Sequence, residues 1–158
     1  MLTTTGQILA IAAVLANGAV YGTDLSVAVI TRSVNKHLDD AAVTISSGWG
    51  HYYGDKRMPA FGAGGVITAV LTTVVAAIAG HVGAAVAAGV AVLALVTWLG
   101  FYVVVAKPIN TAQTAAAQSG VIPANARALQ DRWESILPYR VGLQAIALGA
   151  LGTAIALF

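Results

Sequence analysis

Apolar residues in this chain fall into four long stretches separated by short polar ones. A helix that crosses a bilayer needs roughly 20 mostly apolar residues, and each stretch reaches or nearly reaches that length. The first runs from about Gly6 to Ile30, with Asp24 as its only charge. Between Met58 and Ala106 there is no Asp, Glu, Lys or Arg. That interval is too long for one span and fits two, at 59–79 and 83–106. The break is the turn-like Gly80-His81-Val82-Gly83. The fourth stretch is Val141–Phe158, extendable toward Arg140 if that side chain snorkels. The pattern predicts an all-α polytopic membrane protein, a four-helix transmembrane bundle in a single domain over 1–158.

Composition sharpens this. The 158 residues are 58% hydrophobic and 9% charged. Soluble domains carry roughly 25% charged residues, so a water-facing surface of ordinary polarity is excluded. So is disorder. Eight Lys and Arg against six Asp and Glu are no basic nucleic-acid surface. Cysteine is absent, which removes disulfides, thiolate metal sites and a cysteine nucleophile. The N-terminal stretch is too long for a signal-peptide apolar region and lacks a basic start, so it is expected to be a retained helix.

Charge placement predicts orientation. Arg32, Lys36, Lys56 and Arg57 lie in the first polar connection, and Lys107, Arg127, Arg132 and Arg140 in the second. With four spans the two connections share one side, which therefore holds every Lys and Arg. The positive-inside rule makes that side cytoplasmic and both termini external, in the plasma (inner) membrane. The connections are expected to hold short interfacial helices. One would be capped by Asp39-Asp40 and end near Ser46. The other would open at Pro123, with Trp49 and Trp133 as interfacial anchors. Gly18 and Gly22 form a small-xxx-small pair suited to close helix packing.

The polar residues near the membrane gather at the same side. Asn17, Tyr21 and Asp24 share one face of the first helix. Trp98 and Tyr102 are one turn apart, as are Arg140 and Gln144. His51 and Asp55 precede the second span, with Arg57 two residues further on. A mid-membrane carboxylate costs roughly 2.5–3.5 kcal/mol on insertion scales. Asp24 lies only ~10 Å below the level of Arg32, so its cost is smaller. It reads as a proton acceptor or substrate-orienting group, or as a helix-pinning partner of Arg57 or Arg140. His51 reads as a general base, a haem ligand, half of a metal site completed by Asp24, or a hydrogen-bonded interfacial histidine. No metal site is assigned. No nucleotide-binding loop, nucleophile elbow or internal repeat is present.

Several short segments together resemble the anthrone-oxygenase-like family of small four-helix membrane proteins. They are Asn17–Asp24, His51–Pro59, Pro108-Ile109-Asn110, and Arg132-Trp133 with Arg140 seven residues after the tryptophan. The resemblance implies a four-helix bundle and oxidation of a lipophilic phenolic or anthrone-like compound, in some members without a cofactor. It implies Asn110, Trp133 and Arg140 as shared site residues. Many relatives carry a histidine four residues after that tryptophan, where this chain has Leu137. If that histidine is the base, His51 must replace it here.

The expected catalytic residues are thus His51, Asp24 and Arg140. Asn17, Tyr21, Asp55, Arg57, Trp98, Tyr102, Asn110, Trp133 and Gln144 would bind substrate. The expected partners are the bilayer and a lipophilic small molecule, with no nucleic acid. A homo-oligomer or a partner subunit stays open. The alternative is a non-catalytic module or accessory subunit that binds a lipid, haem or partner protein.

Overall fold

The computed structural model describes residues 1–158 and is entirely helical. In chain order the helices are α1 (Leu2–Ser26), α2 (Arg32–Asn35), α3 (Asp40–Arg57), α4 (Pro59–Ile78), α5 (Val82–Phe101), α6 (Lys107–Ser119), α7 (Ala126–Ser135) and α8 (Leu137–Leu157). Four helical stretches are long and apolar enough to cross a membrane: Leu2–Asn35, Pro59–Ile78, Val82–Ser119 and Ala126–Leu157. All but the second outrun the predicted spans, because each continues as helix into a polar connection.

Each of α1, α4, α5 and α8 packs against two of the others, in the cyclic order α1, α4, α5, α8. Their common core is built of small residues, with Ala13, Ala69, Ala91, Ala94 and Ala147 around Leu95 and Leu151. Alanine lets backbones approach closely, the main source of helix association where lipid is as apolar as the protein. The larger apolar side chains face outward instead, among them Leu15, Ile67, Ile78, Leu93 and Ile146. A soluble protein rarely exposes so continuous an apolar surface. Gly80, at φ +78°, makes the tight turn between α4 and α5. In that turn His81 Nε2 lies 3.0 Å from Thr3 Oγ1 of α1.

Two expectations about packing need correction. Gly18 and Gly22 meet no other helix within 4 Å. The close approaches are made elsewhere, by Gly65 against Asn17 and by Gly48 against α6. Trp133 is no interfacial anchor, for it is buried with Ile109, Ile136 and Leu137 in a second apolar cluster. Trp49 remains exposed.

Asp39 does cap α3, its Oδ1 accepting from the Ala42 amide at 2.7 Å. The helix then continues to Arg57, well past the expected end at Ser46, since no glycine or proline after Ser46 adopts a breaking conformation until Pro59 opens α4. Gly120 closes α6 in the left-handed conformation, at φ 72°. The segment that opens α7 starts at Ala126 rather than Pro123.

Two wide π-helical turns, Val27–Thr31 after α1 and Tyr102–Ala106 after α5, lie at the charged end of the molecule. Such turns often mark functional sites, and here both border the main cavity.

Gly48 sets the distance between α3 and α6. A methyl group there would collide with the Gln113 carbonyl oxygen and the Ala117 methyl, while Thr114 Oγ1 donates to the Gly48 carbonyl at 3.2 Å. Neither neighbour can yield by a side-chain rotation, because one is backbone and the other a Cβ fixed to it. Gly48→Ala is expected to destabilise the protein by about 1–3 kcal/mol through overpacking, read as an earlier midpoint in detergent-mediated unfolding. An unchanged midpoint would mean that the two helices are free to separate.

Candidate functional site

The C-terminal ends of α1 and α5 and the N-terminal ends of α4 and α8 meet at the charged end. There they surround a cavity of about 610 Å³, closed further by α3, α6 and α7. Its lining is mostly uncharged. Val20, Val27, Val66, Ile67, Leu99 and Met58 give it apolar walls. Ile67 and Leu99 are also exposed on the outer apolar surface, so the cavity has an apolar margin on the face that lipid would cover.

Three polar constellations converge on it. The first is centred on Asp24, 4% exposed in the interior. Arg140 Nη2 donates to Asp24 Oδ1 at 3.1 Å and forms an ion pair with Oδ2 at 3.0 Å. Gln144 Nε2 donates at 2.7 Å and Trp98 Nε1 at 3.4 Å. The helix-pinning partner is therefore Arg140, and Arg57 has no part in it. The Arg140 guanidinium stands 5.7 Å from the Trp98 ring and 5.5 Å from the Trp133 ring, in reach of cation–π attraction. Its Nε has no partner, which leaves one buried donor beside the cavity for an incoming acceptor oxygen.

The second constellation is centred on Asp55. Tyr102 donates its hydroxyl to Oδ1 at 2.9 Å. Asn110 Nδ2 donates to the two carboxylate oxygens at 3.1 and 3.3 Å, and its own Oδ1 accepts from Trp133 Nε1 at 2.9 Å. Asn110 and Trp133 are thus brought into one hydrogen-bonded group with Asp55, while Arg140 belongs to the first constellation and meets Trp133 only through its ring face.

The third was not legible in the sequence. Gln113, Gln130, Glu134 and Asn35 are all buried and form a row that ends at Arg32 near the surface. Gln113 Nε2 donates to Gln130 Oε1 at 2.9 Å, and Gln130 Nε2 to Glu134 Oε1 at 2.9 Å. Arg32 Nε pairs with Glu134 Oε2 at 3.2 Å. These residues lie in connections of ordinary polarity. The one available signal was the helical spacing of Gln130 and Glu134, four apart on the side of α7 that also carries Ala126 and Trp133.

His51 sits one turn before Asp55 on α3, with its ring 5.3 Å from that of Trp133. Burial dominates its titration and lowers its pKa to about 4. Asp55 and a potential hydrogen bond from the ring to Gln113 pull the other way, and Arg140 adds to the lowering. The imidazole is consequently neutral at pH 7, with a free lone pair at the cavity wall.

Of the residues singled out from the sequence, His51, Asp24, Asp55, Trp98, Tyr102, Asn110, Trp133 and Arg140 line the cavity. Gln144 stands behind it, holding Asp24. Asn17 does not reach it; its Nδ2 donates to the Ala13 carbonyl at 2.8 Å, and its side chain fills the space beside Gly65. Tyr21 is not among the residues that line the cavity. Arg57 is exposed, stacked over Tyr53 at 4.9 Å, because the end of α3 carries it outward. Leu137 is buried in the apolar cluster around Trp133 and lines no part of the site. A metal centre shared by His51, Asp55 and Asp24 does not form, since no three His, Asp or Glu side chains gather. Asp24 turns instead to Arg140.

Comparison of the chain with protein-family models, curated proteins and solved structures gives no match.

Proposed function

We propose that the chain is a small integral membrane oxidoreductase, a four-helix transmembrane bundle whose charged-end cavity oxidises a lipophilic aromatic or phenolic compound. The observation that carries this reading is the coincidence, in one cavity, of a neutral, partly buried histidine, an unpartnered arginine donor and an apolar margin at the lipid-facing surface. The anthrone-oxygenase-like resemblance agrees with it.

A flat ring entering from the membrane would lie against Trp98, Trp133 and the apolar wall. Its ketone or phenol oxygen would accept from Arg140 Nε, while His51 takes a proton from the activated methylene carbon. The electron pair left on the ring spreads onto the oxygen held by Arg140, where a fixed donor stabilises the growing charge. Dioxygen is the oxidant. A methylene becomes a carbonyl, one oxygen atom enters the product and the other leaves as water with the two hydrogens removed. Asp24 positions Arg140, and Asp55 supports the imidazolium. The test is turnover of an anthrone by the detergent-purified chain in air, with product and oxygen consumption measured together. No turnover above the uncatalysed rate would remove the catalytic reading.

One observation favours the second reading, a non-catalytic module. The acceptor positions of Asp24 are occupied by Arg140, Gln144 and Trp98, as expected of a pair that pins helices together. On that reading the cavity holds a lipid or lipophilic ligand that co-purifies with the protein and is not transformed.

We further propose that the charged end is cytoplasmic, in the inner membrane, with α3, α6 and α7 as its interfacial elements. The chain has no native cysteine, so His81→Cys creates a unique label site in the opposite turn. Membrane-impermeant maleimide added to intact cells is expected to react with it. Reaction with permeant reagent alone would reverse the orientation.

A further inference from the structure

The row from Glu134 to Gln113 ends on an unsatisfied atom. Gln113 Oε1 is fully buried and has no hydrogen-bond partner; its residue packs against α3 at Gly48, one turn before His51, whose titration responds to the Gln113 side chain. We propose that the row Glu134–Gln130–Gln113 fixes which ring nitrogen of His51 carries the hydrogen, by turning the Gln113 oxygen toward the imidazole. This rests on the reading of His51 as the base, and it makes the three residues positioning residues.

The direction of the row follows from donor and acceptor chemistry. An ionised carboxylate only accepts. Glu134 Oε1 therefore takes the amide NH2 of Gln130, and also that of Asn35 at 3.3 Å. With its nitrogen turned to Glu134, Gln130 presents its oxygen to Gln113. Gln113 spends its nitrogen there and is left with an oxygen to present. Neutral imidazole has one donor and one acceptor nitrogen. The nitrogen facing Gln113 then carries the hydrogen, and the other keeps the lone pair. The orientation of two amides is thus set from the surface, where Arg32 holds the second Glu134 oxygen.

Other groups act on His51 without selecting a nitrogen through this row. Asp55 on its own helix favours the charged ring and Arg140 on α8 opposes it. From α7 the Trp133 ring lies 5.3 Å from it, and Gln130 lines the same cavity.

The full-length protein, labelled with nitrogen-15 at histidine and held in detergent micelles, reports the tautomer through its ring nitrogen shifts. The His51 signal is assigned by its loss in His51→Gln. A single tautomer is expected in the parent protein. Glu134→Gln removes the acceptor-only anchor and is expected to give a mixture or the opposite tautomer. Adding Gln130→Glu should restore the parent spectrum, because the carboxylate at position 130 again accepts from Gln113 Nε2. Gln113→Met removes the acceptor and should lower the proton affinity of His51 at least threefold.

Parent-like spectra in both Glu134→Gln and Gln113→Met would overturn the proposal. So would failure of the double variant to restore the tautomer, since a merely structural role needs no particular amide direction. If Glu134→Gln does not fold, Gln113→Met alone decides, by whether the proton affinity falls. None of these readouts depends on turnover, so the row can fail while the oxidase reading stands, and the reverse.

Discussion

Arg140→Met is expected to destabilise the protein by about 3–5 kcal/mol, the range for breaking a buried ion pair from one side. The methionine side chain fills most of the space, so packing is a minor part of the loss. The cost comes from Asp24, 4% exposed, left without a counter-charge at a depth where water does not reach it. Gln144 and Trp98 still donate to it, yet neutral dipoles do not offset an unpaired carboxylate in such a medium. Asp24→Asn combined with Arg140→Met should recover most of the stability. The asparagine oxygen still accepts from Gln144, and no charge remains buried. The pair therefore predicts strong non-additivity in a double-mutant cycle. Reversible unfolding in mixed detergent micelles, followed by circular dichroism, measures all three variants. A loss under about 1 kcal/mol for Arg140→Met, where an exposed pair would fall, would mean that water reaches the site.

His51→Ala is expected to cut turnover by about 10²–10⁴-fold, the usual contribution of a positioned general base, while leaving the unfolding midpoint near that of the parent. At most one hydrogen bond, to Gln113, is lost with the imidazole, and His51 carries no ion pair, so the fold depends little on it. The pH dependence has a definite sign. Burial lowers the His51 pKa from 6.5 to about 4, so the base is free at neutral pH and is lost only as pH falls through about 4. Activity governed by His51 should be flat from pH 7 down to about 5 and then drop. The same shift makes stability fall as pH goes from about 6.5 to about 4. In that window the unfolded chain binds a proton that the folded site refuses. His51→Gln should flatten that part of the stability profile. Full activity in His51→Ala would remove His51 from the base role, and a rate loss centred near pH 6.5 that disappears in His51→Gln would mean that water reaches the imidazole.

Much of the site was legible because its residue types are costly where they stand. A carboxylate in an apolar stretch, as with Asp24, demands a partner, and Arg140 was one of two candidates named by charge alone. The helical spacing of His51 and Asp55 placed them on one side of a helix, which α3 provides. What failed was radial direction. Asn17, Tyr21 and Asp24 share a face of α1, but only the last reaches the cavity, since the neighbouring helices differ along its length. Arg57 was grouped with the site by sequence proximity, and the end of α3 turns it to the surface. Gln113, Gln130 and Glu134 were passed over, because polar residues in a polar connection carry no signal of burial.

The sequence by itself determined that the chain is helical, that four of its stretches are long and apolar enough to span a bilayer, and that its charges lie at one end. Those properties follow from counts and spacing along a single helix, where hydrophobicity and 3.6-residue periodicity act locally. Which charges pair, which glycines let helices touch and which amides line up behind His51 were decided only by tertiary structure. Each depends on the relative rotation and depth of helices far apart in sequence. Asp24 and Arg140 are separated by 116 positions, and only the packing of α1 against α8 brings their side chains together. Gly48 and Gly65 rather than Gly18 mark the close contacts for the same reason, since small residues are permissive everywhere and are used only where another helix arrives.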